Sequence, residues 1–279
     1  MKTNKGALTL SVLAVVVIGF LYFGNFSTSN KTKEEVGHAH SGEDISFEGF
    51  EEAQIGSLQD KQDQSTAIML KNKWSGSKTD AEKSAVAHDA ARFWSERSPE
   101  LAAYYHYLAS DIENNVDELI FAGDQLYTQF RTSDKMEIKN NLINFAILSY
   151  ESALKLRSDD YSLKLRMGEA YLEGMVEPMK GVGLLKEVVE KDPENLKALI
   201  LLGRFSVISG QYERAKEHLD KALAISPTNT EAMYFMAFTQ EGLGNKDKAI
   251  ELFELLKKII DNPDFNEEID HFIKELQSN

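Results

Sequence analysis

Residues 196–227 read LKALILLGRFSVISGQYERAKEHLDKALAISP, and residues 230–261 read TEAMYFMAFTQEGLGNKDKAIELFELLKKIID. At an offset of 34, Gly210 aligns with Gly244 and Ala215 with Ala249. Pro193, ahead of the first stretch, matches Pro227, ahead of the second. Self-similarity at a fixed period of this size marks a repeat made of one supersecondary unit. In the first stretch Leu199 and Leu202 precede Gly210 at helical spacing, and Leu219 and Ala222 follow it in the same way. Each unit therefore reads as two helices joined by a tight turn at the glycine. Gly203 and Ala215 are small enough to let the two helices approach closely. Pro227 stops the second helix, because proline lacks the amide that would continue the ladder.

The neighbouring units carry the same pattern with defects. The second stretch has Met233-x2-Met236-Ala237, Gly244-Asn245, Ala249-x3-Phe253 and Leu256, with a late proline at Pro263. Upstream, Met167-Gly168-x2-Tyr171, Gly181-x3-Leu185, Val188 and Pro193 form another unit, with one extra residue in the turn around Glu177-Pro178. An irregular unit precedes it: Leu119-x2-Ala122-Gly123-x2-Leu126, then Ala146-x3-Tyr150-x2-Ala153, with an insertion near Arg131–Asn141. The whole pattern resembles the tetratricopeptide repeat (TPR), a pair of antiparallel helices. The resemblance covers about Val116 to Asp261. One position departs from the family: Lys164 stands where a large apolar residue is usual. The resemblance implies an all-α fold, a TPR superhelix of about three to four helix hairpins. Phe265, Ile269, Phe272, Ile273 and Leu276 then form one apolar stripe, the mark of the C-terminal cap helix that such a stack needs at its open end.

In this family the first helix of each unit lines a concave face. The resemblance places Ser162, Leu165, Glu169 and Leu172 there in one unit, Lys197, Ile200, Arg204 and Val207 in the next, and Glu231, Tyr234, Phe238 and Glu241 in the last. The expected peptide-groove residues are Leu165, Ile200, Arg204, Val207, Tyr234 and Phe238. The groove has apolar anchors and a central cation, but no asparagine and many acids. That argues against a clamp for a terminal carboxylate and for a protein or peptide held by apolar anchors, with an acidic group on Arg204.

The N-terminal part reads differently. Ala7 to Phe23 (ALTLSVLAVVVIGFLYF) is a run of 17 residues without charge, preceded by Lys2 and Lys5. Its length is at the short end of what spans a bilayer as a helix, and the flanking lysines put Met1–Gly6 in the cytoplasm. A transmembrane signal anchor over 1–26 is the expectation, with a cleaved signal peptide as its rival; no small-residue cleavage site stands out. This places the protein as single-pass in an inner or plasma membrane, with the repeats on the periplasmic or other extracytoplasmic side. Residues 27–78 are polar and acidic and read as a flexible tether, with room for a short helix over Phe50–Leu58. His38 and His40 lie in that tether, which supplies neither the ligand number nor the rigidity of a metal site. Residues 79–115 read as a helical hairpin ahead of the repeats. Thr79 or Asp80 caps its first helix, and Ser98-Pro99 opens the second. Residues 116–279 form the TPR domain with its cap helix. Trp94, Tyr104, Tyr105 and Tyr107 sit at the spacing of a buried stripe and are assigned to helix packing rather than to a ligand box.

The composition excludes several functions. The 279 residues carry 31 Lys+Arg against 45 Asp+Glu, a net charge of −14, which is unsuited to binding nucleic acid. With no cysteine there is no disulfide scaffold, thiol nucleophile or Cys-ligated metal. None of the common nucleophile-elbow, zinc-protease or nucleotide-loop motifs is present, so no enzyme, catalytic residue, metal or cofactor is expected. The expected function is a membrane-tethered interaction module that binds or scaffolds envelope proteins or peptides. Two alternatives share the same plan: a cytochrome c maturation-type TPR factor presenting an apocytochrome, and a self-associating structural envelope protein.

Overall fold

The computed structural model describes residues 46–278. The anchor expected over 1–26, the tether up to residue 45 and the pair His38 and His40 lie outside them. Among the described residues there are thirteen α-helices, one short 3-10 helix and no strand, and no helix is long and apolar enough to cross a membrane. These residues fall into two compact units, 46–181 and 182–278.

The N-terminal unit begins with α1 (Phe47–Ser57) and α2 (Lys61–Gly76), where the sequence suggested mostly tether. The polar composition of this stretch hides a few decisive apolar groups. Phe47 and Phe50 are buried, and the Phe47 ring lies 4.3 Å from Tyr104 and 5.2 Å from Phe145. Ser46 and Asp60 cap the two helices, accepting from the amides of Gly49 and Gln62. Helices this short hold through tertiary packing more than through propensity. The expected hairpin follows as α3 (Asp80–Trp94) and α4 (Pro99–Glu113). Thr79 forms a full capping box with Glu82, which satisfies two end amides at once. Ser98 holds the cap position of α4, but its hydroxyl donates to Glu100 instead of capping.

Next come α5 (Val116–Thr132) and α6 (Lys139–Leu156), the first irregular repeat. Its inserted residues fold over the 3-10 turn Met136–Ile138, pinned by the fully buried Ile138. Helix α7 (Tyr161–Glu173) is followed by a four-residue turn and α8 (Pro178–Lys191), within which the boundary between the two units falls. The extra turn residue expected from the sequence is present, and Met175 and Glu177 take positive φ to accommodate it.

The C-terminal unit contains the regular repeats: α9 (Leu196–Ile208) with α10 (Tyr212–Ile225), then α11 (Thr230–Gly242) with α12 (Lys246–Ile259). Gly210 and Gly244 sit at φ 70° and 80°, the left-handed conformation that each three-residue turn requires. A Cβ on Gly203 would stand 2.6 Å from Leu219 Cγ, so the close approach of α9 and α10 depends on the missing side chain. Asn195 and Asn229, also 34 apart, accept from the amides of Ala198 and Ala232 and start α9 and α11. Helix α13 (Pro263–Ser278) closes the unit, with Phe265, Ile269, Phe272, Ile273 and Leu276 buried.

Candidate recognition surfaces

The C-terminal unit is the place to look for the concave face of the regular repeats. Four of the expected groove residues are consumed by the unit's own core. Ile200 is 5% exposed, Val207 1%, Tyr234 0% and Phe238 2%. The Tyr234 ring lies 6.4 Å from Phe265, and the Phe238 ring lies 5.1 Å from Phe253 and 5.3 Å from Phe272. The cap helix α13 thus covers the face that the family position would have left to a ligand. The physical reason is area: burying a Phe side chain contributes about 1.5–3 kcal/mol, and α13 brings Phe265 and Phe272 against Tyr234 and Phe238.

Among the expected groove positions of α9 and α11, those left accessible are polar. Lys197 is exposed, Glu231 and Glu241 are half-buried, and Arg204 is mostly buried with its guanidinium 3.7 Å from Glu231. The cations lie on α9 and the carboxylates on α11. Such a surface suits a partner that contributes both signs of charge, and Arg204 is not an isolated anchor for an acid.

The N-terminal unit carries an analogous face on α5 and α7. Leu165 is half-buried there. Around it runs a hydrogen-bonded network. Asp124 receives Arg166 at 2.6 and 2.5 Å and the Tyr150 hydroxyl at 2.8 Å. The Tyr127 hydroxyl donates to Glu173 at 2.5 Å, and Arg131 lies 3.9 Å from the same carboxylate. Burial, aided by the neighbouring carboxylates, pushes the phenols of Tyr127 and Tyr150 well above their ordinary range, so both stay protonated donors. The network is assembled from residues that the sequence shows only as scattered charges.

A third feature was not legible in the sequence. Between α1, α2, α3 and α4 lies a cavity of about 410 Å³. Trp74, Tyr104, Tyr105 and Leu108 form its apolar wall, and Glu48, Glu51, Lys71 and Lys83 bring charge to it. Trp74 and Tyr105 meet edge to face at 6.3 Å. Tyr104 stacks into Phe47 and Phe145. Tyr105 is buried, in line with its assignment to helix packing, whereas Tyr104 is half-buried and also lines the cavity. Trp94 is fully buried, and Tyr107 packs on Phe145.

Residues 206–266 match the family model of the tetratricopeptide repeat. An 85-residue segment is 31% identical to the BBSome complex member BBS4 of Bos taurus; it makes up 30% of this chain and only 16% of that protein. Among solved structures, a tetratricopeptide repeat protein from Parabacteroides merdae superposes with a TM-score of 0.54 at 17% identity, covering 70% of this chain and 75% of that one. YrrB, described as a TPR protein with an unusual peptide-binding site, superposes with a TM-score of 0.50 at 15% identity, covering 72% of this chain and 97% of YrrB. At these identities the likeness is one of fold. The chain has the fold of TPR proteins, and residues 206–266 match the repeat itself.

Proposed function

We propose that the chain is a membrane-tethered protein–protein interaction module whose repeats hold an envelope protein or peptide. The reading rests chiefly on the mixed-charge ridge of Lys197, Arg204, Glu231 and Glu241, displayed on the first helices of two regular repeats. A repeat array offers an extended rigid surface rather than a reaction centre. The peptide-binding site attributed to YrrB is a precedent for such use of the fold. Tethering is supported by the uncharged run Ala7–Phe23 and the lysines before it.

Crosslinking in native membranes tests the binding. A photoreactive residue at Lys197 is expected to capture a discrete partner, and Lys197→Glu with Glu241→Lys is expected to lose it while the melting temperature holds. Unchanged capture by the charge-reversed chain would remove the ridge as the contact surface. For tethering, the full chain should stay in the membrane pellet after an alkaline wash, and Val16→Arg should release it.

A further inference from the structure

The cavity of the N-terminal unit has room for a small ligand. Its volume of about 410 Å³ falls within the roughly 300–1,000 Å³ typical of small-ligand sites, and its lining mixes aromatic rings with charged side chains. Three of its four charged groups are already engaged. The Lys71 ammonium donates to Glu52 at 2.7 Å and lies 4.0 Å from Glu48. Glu51 accepts from the Tyr105 hydroxyl at 2.6 Å. Burial, partly offset by that hydrogen bond, pushes the Glu51 carboxyl above its ordinary value. Lys83, half-buried on α3, makes no ion pair among the described residues.

We propose that this cavity binds a small organic acid, its ring or branched apolar body against the half-buried Trp74, Tyr104 and Leu108 and its carboxylate on the Lys83 ammonium. The charges in the lining balance, Glu48 and Glu51 against Lys71 and Lys83, but Lys83 is the member without an ion pair among the described residues, and a carboxylate gives its half-buried ammonium a charge-assisted partner. The apolar body gains from leaving water for an aromatic wall. The site shares no residue with the ridge on α9 and α11, so either can fail without the other.

The chain has two tryptophans, Trp74 in the cavity lining and the fully buried Trp94, and a ligand-dependent change in emission is assigned to Trp74 by its loss in Trp74→Phe. The full-length chain is titrated with 3-phenylpropionate and with 3-phenylpropionamide, which has the same shape without the charge. The acid is expected to give a saturable response, the amide to bind at least about tenfold more weakly, and Lys83→Gln to bring the acid down to the level of the amide. Absence of a saturable response to the acid overturns the proposal. So does equal binding of acid and amide, or undiminished binding by folded Lys83→Gln protein. Should that variant fail to fold, the acid-to-amide ratio on the unchanged chain decides alone.

Discussion

Single residues set the spacing of the repeat helices. Gly203 is the clearest case, since any side chain there would strike Leu219. Gly203→Ala is expected to lower stability by about 1–3 kcal/mol through overpacking, read as a shift in the urea midpoint without a change in slope. Gly210→Ala, which strains a positive φ without a clash, should cost about 1 kcal/mol. Glu100 offers a pH-dependent test. Burial alone would raise its carboxyl, but its own backbone amide, Lys135 at 3.0 Å, Ser133 at 2.9 Å and Ser98 at 2.9 Å outweigh that and hold it below the ordinary value. A depressed folded-state value stabilises the protein above the ordinary carboxylate range, and that stabilisation is lost as pH falls through the folded-state value. Glu100→Gln should therefore be less stable by about 1–3 kcal/mol at neutral pH, with the gap closing on acidification. A gap independent of pH would assign the loss to packing instead.

At the scale of elements, α13 decides the character of the C-terminal face. Its rings shield Tyr234 and Phe238, so Phe272→Ala should cost about 3–5 kcal/mol and increase binding of a hydrophobic dye. A smaller loss would mean that Phe265 and Phe253 hold the rings without it. Helix α3 depends on its capping box; Thr79→Ala should cost about 0.5–2 kcal/mol and speed amide exchange in the first turn of α3. Helices α1 and α2 show the limit of reading helices from pattern alone. The apolar residues of α1 are too few to make a stripe, yet Phe47 fills a site formed by Tyr104 and Phe145.

Across the whole molecule the acidity is distributed. The net charge of −14 divides into −5 over residues 1–115 and −9 over residues 116–279. No retention on double-stranded DNA is expected at about 0.1 M salt, because DNA affinity comes largely from neutralising phosphates; retention that falls with salt would contradict this. Within the C-terminal unit, repeat stability should pass between neighbours, as in any array that stacks unit on unit. Asn229→Ala is then expected to loosen α10 as well as α11 in hydrogen exchange.

The repeat itself was legible in the residues, because a 34-residue period, a turn glycine, a small residue at the helix contact and a closing proline are each imposed by local geometry. Asn195 and Asn229 carry the same period as caps, and their spacing too is written in the sequence. The insertion after α5, the extra residue after α7 and the stripe of α13 were equally local. Which face of the repeats meets solvent was not local. Family position put Tyr234 and Phe238 in the groove, but α13, more than twenty residues further along the chain, buries them. The cavity likewise needs four helices, with Glu48 and Glu51 from α1, Lys71 and Trp74 from α2, Lys83 from α3 and Tyr104 and Tyr105 from α4. Sequence by itself determined where helices start, turn and pair, since those choices cost or gain free energy within one hairpin. Tertiary structure alone decided what is buried and what is left to bind, since burial depends on which distant apolar surface arrives first.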